Sequence, residues 1–296
     1  MAKINKCIDL LSQGQPVYLT HPTSLSYEAG VEDAKTWADM LLIDFEHHPF
    51  DTVGLTQFMR GLKDGGPTAS GHPTPTVVCT LPSNAITPDE VRYNAWQARH
   101  VLSAGVHGVL HTHTRTAESV KAFVQITRYP FQSLERDLIG EGLRGAGGQK
   151  PANAIWGLST AEYARVADPW PLNPNGELLL GLKIEDRHCV ANVDAITTVP
   201  GIGFAEWGPG DMGMSFGFDD AHDPPYPEVM NDARNKIMAA LDRHNIPFYS
   251  SWADPDMSMT ERIDYSIDVL GVKMMAAPNK EWADYGRKKT GRTMPV

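Results

Sequence analysis

Ionisable side chains gather at the ends of short apolar runs in this chain. Asp44, Glu46, His47 and His48 end or follow the run 40–44; His111, His113 and Arg115 follow 106–110. Lys183 and Glu185 end the run 178–185, Asp186 follows it, and Glu206 and Asp211 flank Trp207, Gly208, Pro209 and Gly210. Two carboxylates from neighbouring runs, with room left for water and substrate oxygens, suit a hard divalent cation. Glu185 and Asp211 are the natural pair, because Asp211 lies in a tight glycine-rich turn directly after a run. A single acid would more often cap a helix or pair with an arginine. A histidine titrates near neutrality and can accept and return a proton. His47 stands out because it shares its run end with Asp44 and Glu46. The pair His111 and His113 would put two imidazoles on one side of a strand, so His47, His48, His111 and His113 could also form a zinc cluster. A Schiff base on Lys183 would make the neighbouring metal site redundant.

Eight such runs can be found, at 16–20, 40–44, 76–80, 106–110, 178–185, 202–207, 246–251 and 272–276. Amphipathic helices are expected between them at 24–37, 52–63, 88–103, 117–127, 227–244 and 258–270. Thr87, Pro88, Asp89 and Glu90 make a good helix start: a capping hydroxyl, proline at the first position and acids in the first turn. Strands alternating with helices imply βαβ units around a parallel sheet, and eight of them close most naturally into a (β/α)8 barrel. Catalytic groups of such barrels sit at the carboxyl ends of the strands. The segment 128–177 breaks the rhythm, with one short helix expected near 160–167. A loop that long is a candidate lid; a surface elaboration at an oligomer interface is the alternative. The basic tail residues Arg287, Lys288, Lys289 and Arg292 are expected to form a solvated face.

With 296 residues, 42% hydrophobic and 21% charged, the chain fits one barrel with little to spare. Its formal charge of −10 argues against nucleic acid or an anionic membrane as partner. No apolar run approaches a membrane span and the N-terminus lacks a signal-peptide pattern, so a cytoplasmic enzyme is expected. Cys7, Cys79 and Cys189 have no CxxC spacing, which implies reduced thiols.

Five motifs occur in order along about 5–277. Leu41 to His47 resembles LLIDGEH, Lys183-Ile184-Glu185 resembles QIE, and Gly208 to Met212 resembles GPADL. Arg128-Tyr129-Pro130 is similar to RYPP, and Gly142 to Gly145 to GxRG. Together they resemble the HpcH/HpaI family of class II pyruvate aldolases. The resemblance implies a single barrel over 1–296 and Mg2+, Mn2+ or Co2+ held by Glu185 and Asp211. It implies proton transfer by His47 oriented by Asp44, and Arg144 on a glycine-rich loop closing over the site. It also implies reversible aldol cleavage of a small oxo or hydroxy acid and a homo-oligomer, usually a hexamer, with 280–296 at a subunit contact.

Three departures bear on the substrate. The family carries an arginine in a VVRP context at the end of the third strand, where this chain reads Val77-Val78-Cys79-Thr80; Lys183 stands in place of glutamine; and Leu110 to Arg115 replaces an apolar segment. Lys183, His111, His113 and Arg115 are therefore expected to bind substrate, with Cys79, Trp207, Gly208, Pro209 and Gly210 lining the site. Lyase or decarboxylase action on a different, aromatic acid is one alternative. A barrel that binds without catalysing is another.

Overall fold

The computed structural model describes residues 3–296. Eight parallel strands form its centre: β1 Val17–Thr20, β2 Met40–Ile43, β3 Thr76–Asn84, β4 Gly108–Thr112, β5 Leu178–Lys183, β6 Phe204–Trp207, β7 Phe248–Ser250 and β8 Met274–Ala276. Each pairs with its neighbours in chain order, and β8 returns to β1 through Val17 beside Met274. The sheet closes, as eight right-twisted parallel strands with outer helices do. All eight expected runs hold strands; six are trimmed at their ends, while β3 runs on to Asn84 and β4 to Thr112. A further two-residue strand, Pro169–Trp170, runs beside the start of β5.

Alternation along each strand divides the core in two. Leu19, Leu42, Val78, Leu110, Leu179 and Phe204 pack inside the barrel against Cys7, Ile8 and Leu10 of helix Lys6–Ser12, which plugs its amino end. Leu41, Val77, Cys79, Val109, Leu180 and Trp207 belong to the layer shared with the outer helices.

Helix starts follow the caps. Asp51 accepts from Gly54 N, Thr87 from Glu90 N and Thr116 from Ser119 N. The helix expected at 88–103 is two helices, Pro88–Tyr93 and Ala95–Ala104, because Asn94 leaves helical geometry and donates its side-chain amide to Glu90 O. That at 24–37 contracts to Tyr27–Asp33, begun by Ser26. That at 258–270 becomes Met259–Asp264 followed by a wider π turn, Tyr265–Val269.

The segment 128–177 holds three helices, Arg136–Ile139, Gln149–Trp156 and Thr160–Val166, where one short helix was expected. Trp156 Nε1 donates to Gly105 O and Tyr163 OH to Leu102 O, both on the chain leading into β4. A buried bidentate pair, Arg128 to Asp168, with Nε to Oδ1 at 2.7 Å and Nη2 to Oδ2 at 3.3 Å, ties its two ends. It therefore braces the amino side of the barrel, away from the strand ends that carry the ionisable cluster.

The amino end is also more polar than its apolar strand starts imply, and of the tail residues expected on a solvated face Lys288 and Lys289 are exposed whereas the Arg287 and Arg292 side chains are buried. Asp39, fully buried, accepts from Arg292 Nη1 and Nη2 at 2.7 and 2.6 Å and from Arg287 Nη2 at 3.3 Å, with Lys6 Nζ at 3.2 Å. These bonds anchor helix Lys280–Lys289 and the tail beyond it to the barrel floor. Burial alone would raise Asp39, but Arg292, Lys6 and Arg287 outweigh it and bring its pKa down to about 2. The carboxylate thus adds stability above the unfolded value of about 3.9, which is lost as pH falls toward 2. Asp39→Ala strands three cations without their anion and is expected to cost about 3–5 kcal/mol, measured by urea unfolding.

Candidate active site

The inward register of the strands carries on past their apolar part, so Asp44, Thr80, Lys183, Glu185 and Glu206 meet at the carboxyl mouth. Lys183 Nζ lies 2.5 Å from Glu46 Oε2 and 3.1 Å from Glu185 Oε2. Burial by itself lowers the lysine, yet Glu206, Glu185 and Glu46 together hold it protonated and raise its pKa. Burial pushes Glu185 and Glu206 up, against the pull of the same lysine. Glu185 has no exposed surface; its Oε2 faces the Lys183 ammonium, and its Oε1 accepts no hydrogen bond from the protein. A buried carboxylate oxygen without a donor is costly. Gly208 is required beside it, since a Cβ there would stand 2.7 Å from Glu185 Oε2.

Beside this cluster His47 Nδ1 donates to Asp44 Oδ2 at 2.8 Å. Asp44 is positioned in turn by Thr80, whose hydroxyl donates to Asp44 Oδ1 at 2.9 Å while accepting from Phe45 N and Glu46 N. Partial burial would raise Asp44, but the bonds from His47 and Thr80 lower it, so it stays ionised. Because Nδ1 carries the hydrogen, the exposed ring keeps Nε2 available.

The third group hangs on Asp186. Its Oδ2 accepts from Arg115 Nε at 2.9 Å and His113 Nδ1 at 3.3 Å, and its Oδ1 caps helix Arg187–Ala191 through His188 N and Cys189 N. Burial would raise Asp186, but His113, the Cys189 amide and Arg115 draw it well below the carboxylate range. The bond from Asp186, with help from Glu185 and Asp211, raises His113 against its own burial. His113, Arg115, Asp186, His188, Asp211 and Ser215 line a cavity of about 400 Å³. Asp211 stands in the first turn of helix Pro209–Phe216, with Pro209 at its first position and Gly210 next to His222.

Four expected site residues lie elsewhere. Cys79 and Trp207 are fully buried and, by strand alternation, face the outer helices; Trp207 packs edge-on to Tyr226. His111 also faces outward, against Phe123, and burial lowers it to about 3, so it is neutral. Arg144 is buried between Tyr129 and Tyr163 in the 128–177 brace, with Nη2 donating to Tyr163 OH at 2.6 Å. It does not close over the mouth of its own barrel. Thr80, one residue beyond Cys79, is the inward residue at this strand end. Period-two alternation from Val78 was the signal that could have found it. Glu46, Asp186 and Glu206 were visible only as acids at run ends, with no role assigned.

The residues fit a divalent cation: Glu46, His113 and Glu185 offer donor atoms within 4.8 Å of one another, as do Asp44, Glu46 and His47, and Glu185 Oε1 lacks a hydrogen-bond donor. Residues 85–262 match the family model of HpcH/HpaI aldolase/citrate lyase. The chain belongs to this family. It is accordingly an enzyme of the lyase class, in a family of metal-dependent carbon–carbon lyases. Among its relatives is a 2-keto-3-deoxy-L-rhamnonate aldolase of Klebsiella pneumoniae, 31% identical over 216 residues, 73% of this chain and 68% of that one. Another is a hydroxypyruvate/pyruvate aldolase of Paraburkholderia phytofirmans, 28% identical over 224 residues, 75% and 74% of the two chains. The fold matches a crystal structure of an HpcH/HpaI family protein from Burkholderia cenocepacia, with TM-score 0.69, 20% identity and 97% of both chains covered. It also matches macrophomate synthase, with TM-score 0.64, 18% identity and 98% and 89% covered. No helix among the described residues is long and apolar enough to cross a membrane.

The outward position of Cys79 has a direct test. All three thiols are buried, and burial pushes each above its ordinary range, Cys7 to about 12. A disulfide thiol reagent should find no fast-reacting group in the native protein and three per chain in guanidinium. One rapid native thiol, lost in Cys79→Ala, would return Cys79 to the site.

Proposed function

We propose that the protein catalyses reversible aldol cleavage of a small 2-oxo or hydroxy acid, with Glu185 and Asp211 holding Mg2+, Mn2+ or Co2+. The observation that carries this reading is the fully buried Glu185, its Oε1 free of hydrogen bonds, at a barrel mouth that also holds the His47–Asp44 pair. The names of the two relatives point to 2-oxo acids. When bound, the ion supplies Lewis-acid stabilisation of the enolate left as the neighbouring bond breaks. Asp44 keeps the His47 ring turned with Nδ1 toward itself, and Nε2 takes the proton from the substrate hydroxyl in cleavage and returns it in condensation. Lys183 keeps Glu46 and Glu185 from repelling one another. The Nη atoms of Arg115, whose Nε is held by Asp186, offer a bidentate seat for the substrate carboxylate in place of the strand-three arginine. Gly208, Pro209 and Gly210 bring the backbone close to the same cavity.

The reading includes one barrel domain over 1–296 with 128–177 as its elaboration, working as a homo-oligomer, the hexamer that the family resemblance implies. Exposed Phe131, Leu134, Leu138 and Leu143 on that segment support an interface there.

Proton exchange at the pyruvate methyl group in D2O, followed by NMR, tests the half-reaction. Exchange should require added Mg2+, Mn2+ or Co2+, vanish with a chelator, and be lost in Glu185→Gln. His47→Ala should bind metal and slow turnover by roughly 10² to 10⁴-fold. Metal-bound protein that exchanges nothing would overturn pyruvate-type chemistry, and an unchanged rate in His47→Ala would overturn the assignment of His47.

A further inference from the structure

The Oε2 atoms of Glu46 and Glu185 both face Lys183, at 2.5 and 3.1 Å. Their Oε1 atoms face another way, toward His113 Nε2, at 3.9 and 3.8 Å. Donors that share one ion at bond lengths of about 2.1 Å stand about 3 to 4 Å apart, which is the spacing seen here. Glu185 in this trio is wholly buried and its Oε1 lacks a hydrogen bond, so a partner is owed to it on the side away from Lys183. The imidazole is turned as a ligand's would be. A carboxylate only accepts, so the contact of Asp186 with Nδ1 leaves the hydrogen on Nδ1 and the lone pair of a neutral ring on Nε2. Asp186 is itself fixed by Arg115 Nε and two helix amides. The backbone at His113 is held at φ 46, in the left-handed region that a non-glycine residue enters at a cost.

We infer that His113 is a protein ligand of the divalent ion through Nε2, on the Oε1 side of Glu46 and Glu185, with Asp186 as the positioning residue that sets its ring. The inference rests on the reading that a metal works at this mouth and adds a nitrogen to an otherwise all-carboxylate set. It follows that the site prefers Co2+ or Mn2+ to Mg2+, because imidazole favours the transition metals and Mg2+ favours oxygen. The arrangement is the carboxylate–histidine–metal pattern, in which the outer carboxylate orients the ring and raises its basicity.

Metal binding measured by calorimetry, with spectra of the Co2+-loaded protein, tests this without relying on turnover. His113→Asn is the variant of choice, because asparagine tolerates the left-handed backbone. It should weaken Co2+ binding by on the order of 10²-fold and leave Mg2+ binding much less changed, while Asp186→Asn, which can still cap the helix, should weaken Co2+ binding about 10-fold. In the Co2+ protein, a paramagnetically shifted imidazole N–H proton that disappears in D2O should be present, lost in His113→Asn and kept in His47→Asn. Equal Co2+ affinity and an unchanged spectrum in folded His113→Asn would overturn the inference while leaving the metal reading intact. Wild-type protein that binds no divalent ion would overturn both.

Discussion

One ammonium group serves three carboxylates, two of them buried, at the mouth of this barrel. Glu185 and Glu206 sit in a low-dielectric enclosure, and burial raises the pKa of both against the pull of Lys183. The excess of negative charge is what a cation would relieve. Lys183 keeps the cluster folded meanwhile, by pairing with Glu46 and Glu185 on one side only. A glutamine at that position would bring no charge. The substitution therefore alters the electrostatics of the cluster as well as a contact.

Around that cluster, the period of two along each strand decides what can react. Thr80 faces inward and holds Asp44, whereas Cys79 beside it is sealed among helices. Lys183, Glu185 and Glu206 share the inner face, and Trp207 and His111 do not. Across the mouth from strand three, Asp186 ties the loop after β4 to the helix after β5. His113, Arg115 and Asp186 act as one unit, since the same carboxylate oxygen holds both side chains.

The two ends of the barrel use charge in opposite ways. At the amino end Asp39 is saturated by Arg292, Arg287 and Lys6, and the result is a clamp on the tail. At the carboxyl end Asp44 and Asp186 are also held by donors, but Glu185 Oε1 is not, which leaves it ready for a ligand. The segment 128–177, locked by Arg128 and Asp168, strengthens the first end and leaves the second open.

Periodicity and end signals in the sequence were enough for the barrel: eight apolar runs, the cap at Thr87, and the ordered motifs with Asp44, His47, Glu185 and Asp211. These are local features, carried by a few adjacent residues. Which face a side chain takes is also local in principle, yet it needs the strand register, and one residue separates Cys79 from Thr80. The bracing role of 128–177, the burial of Arg287 and Arg292 and the shared hold of Asp186 on His113 and Arg115 were decided by the tertiary structure. Each depends on partners tens to hundreds of residues away, from Asp39 to Arg292 and from Arg115 to Asp186. No local pattern encodes such a pairing, because its energy exists only once the closed barrel has brought the two ends together and taken them out of water.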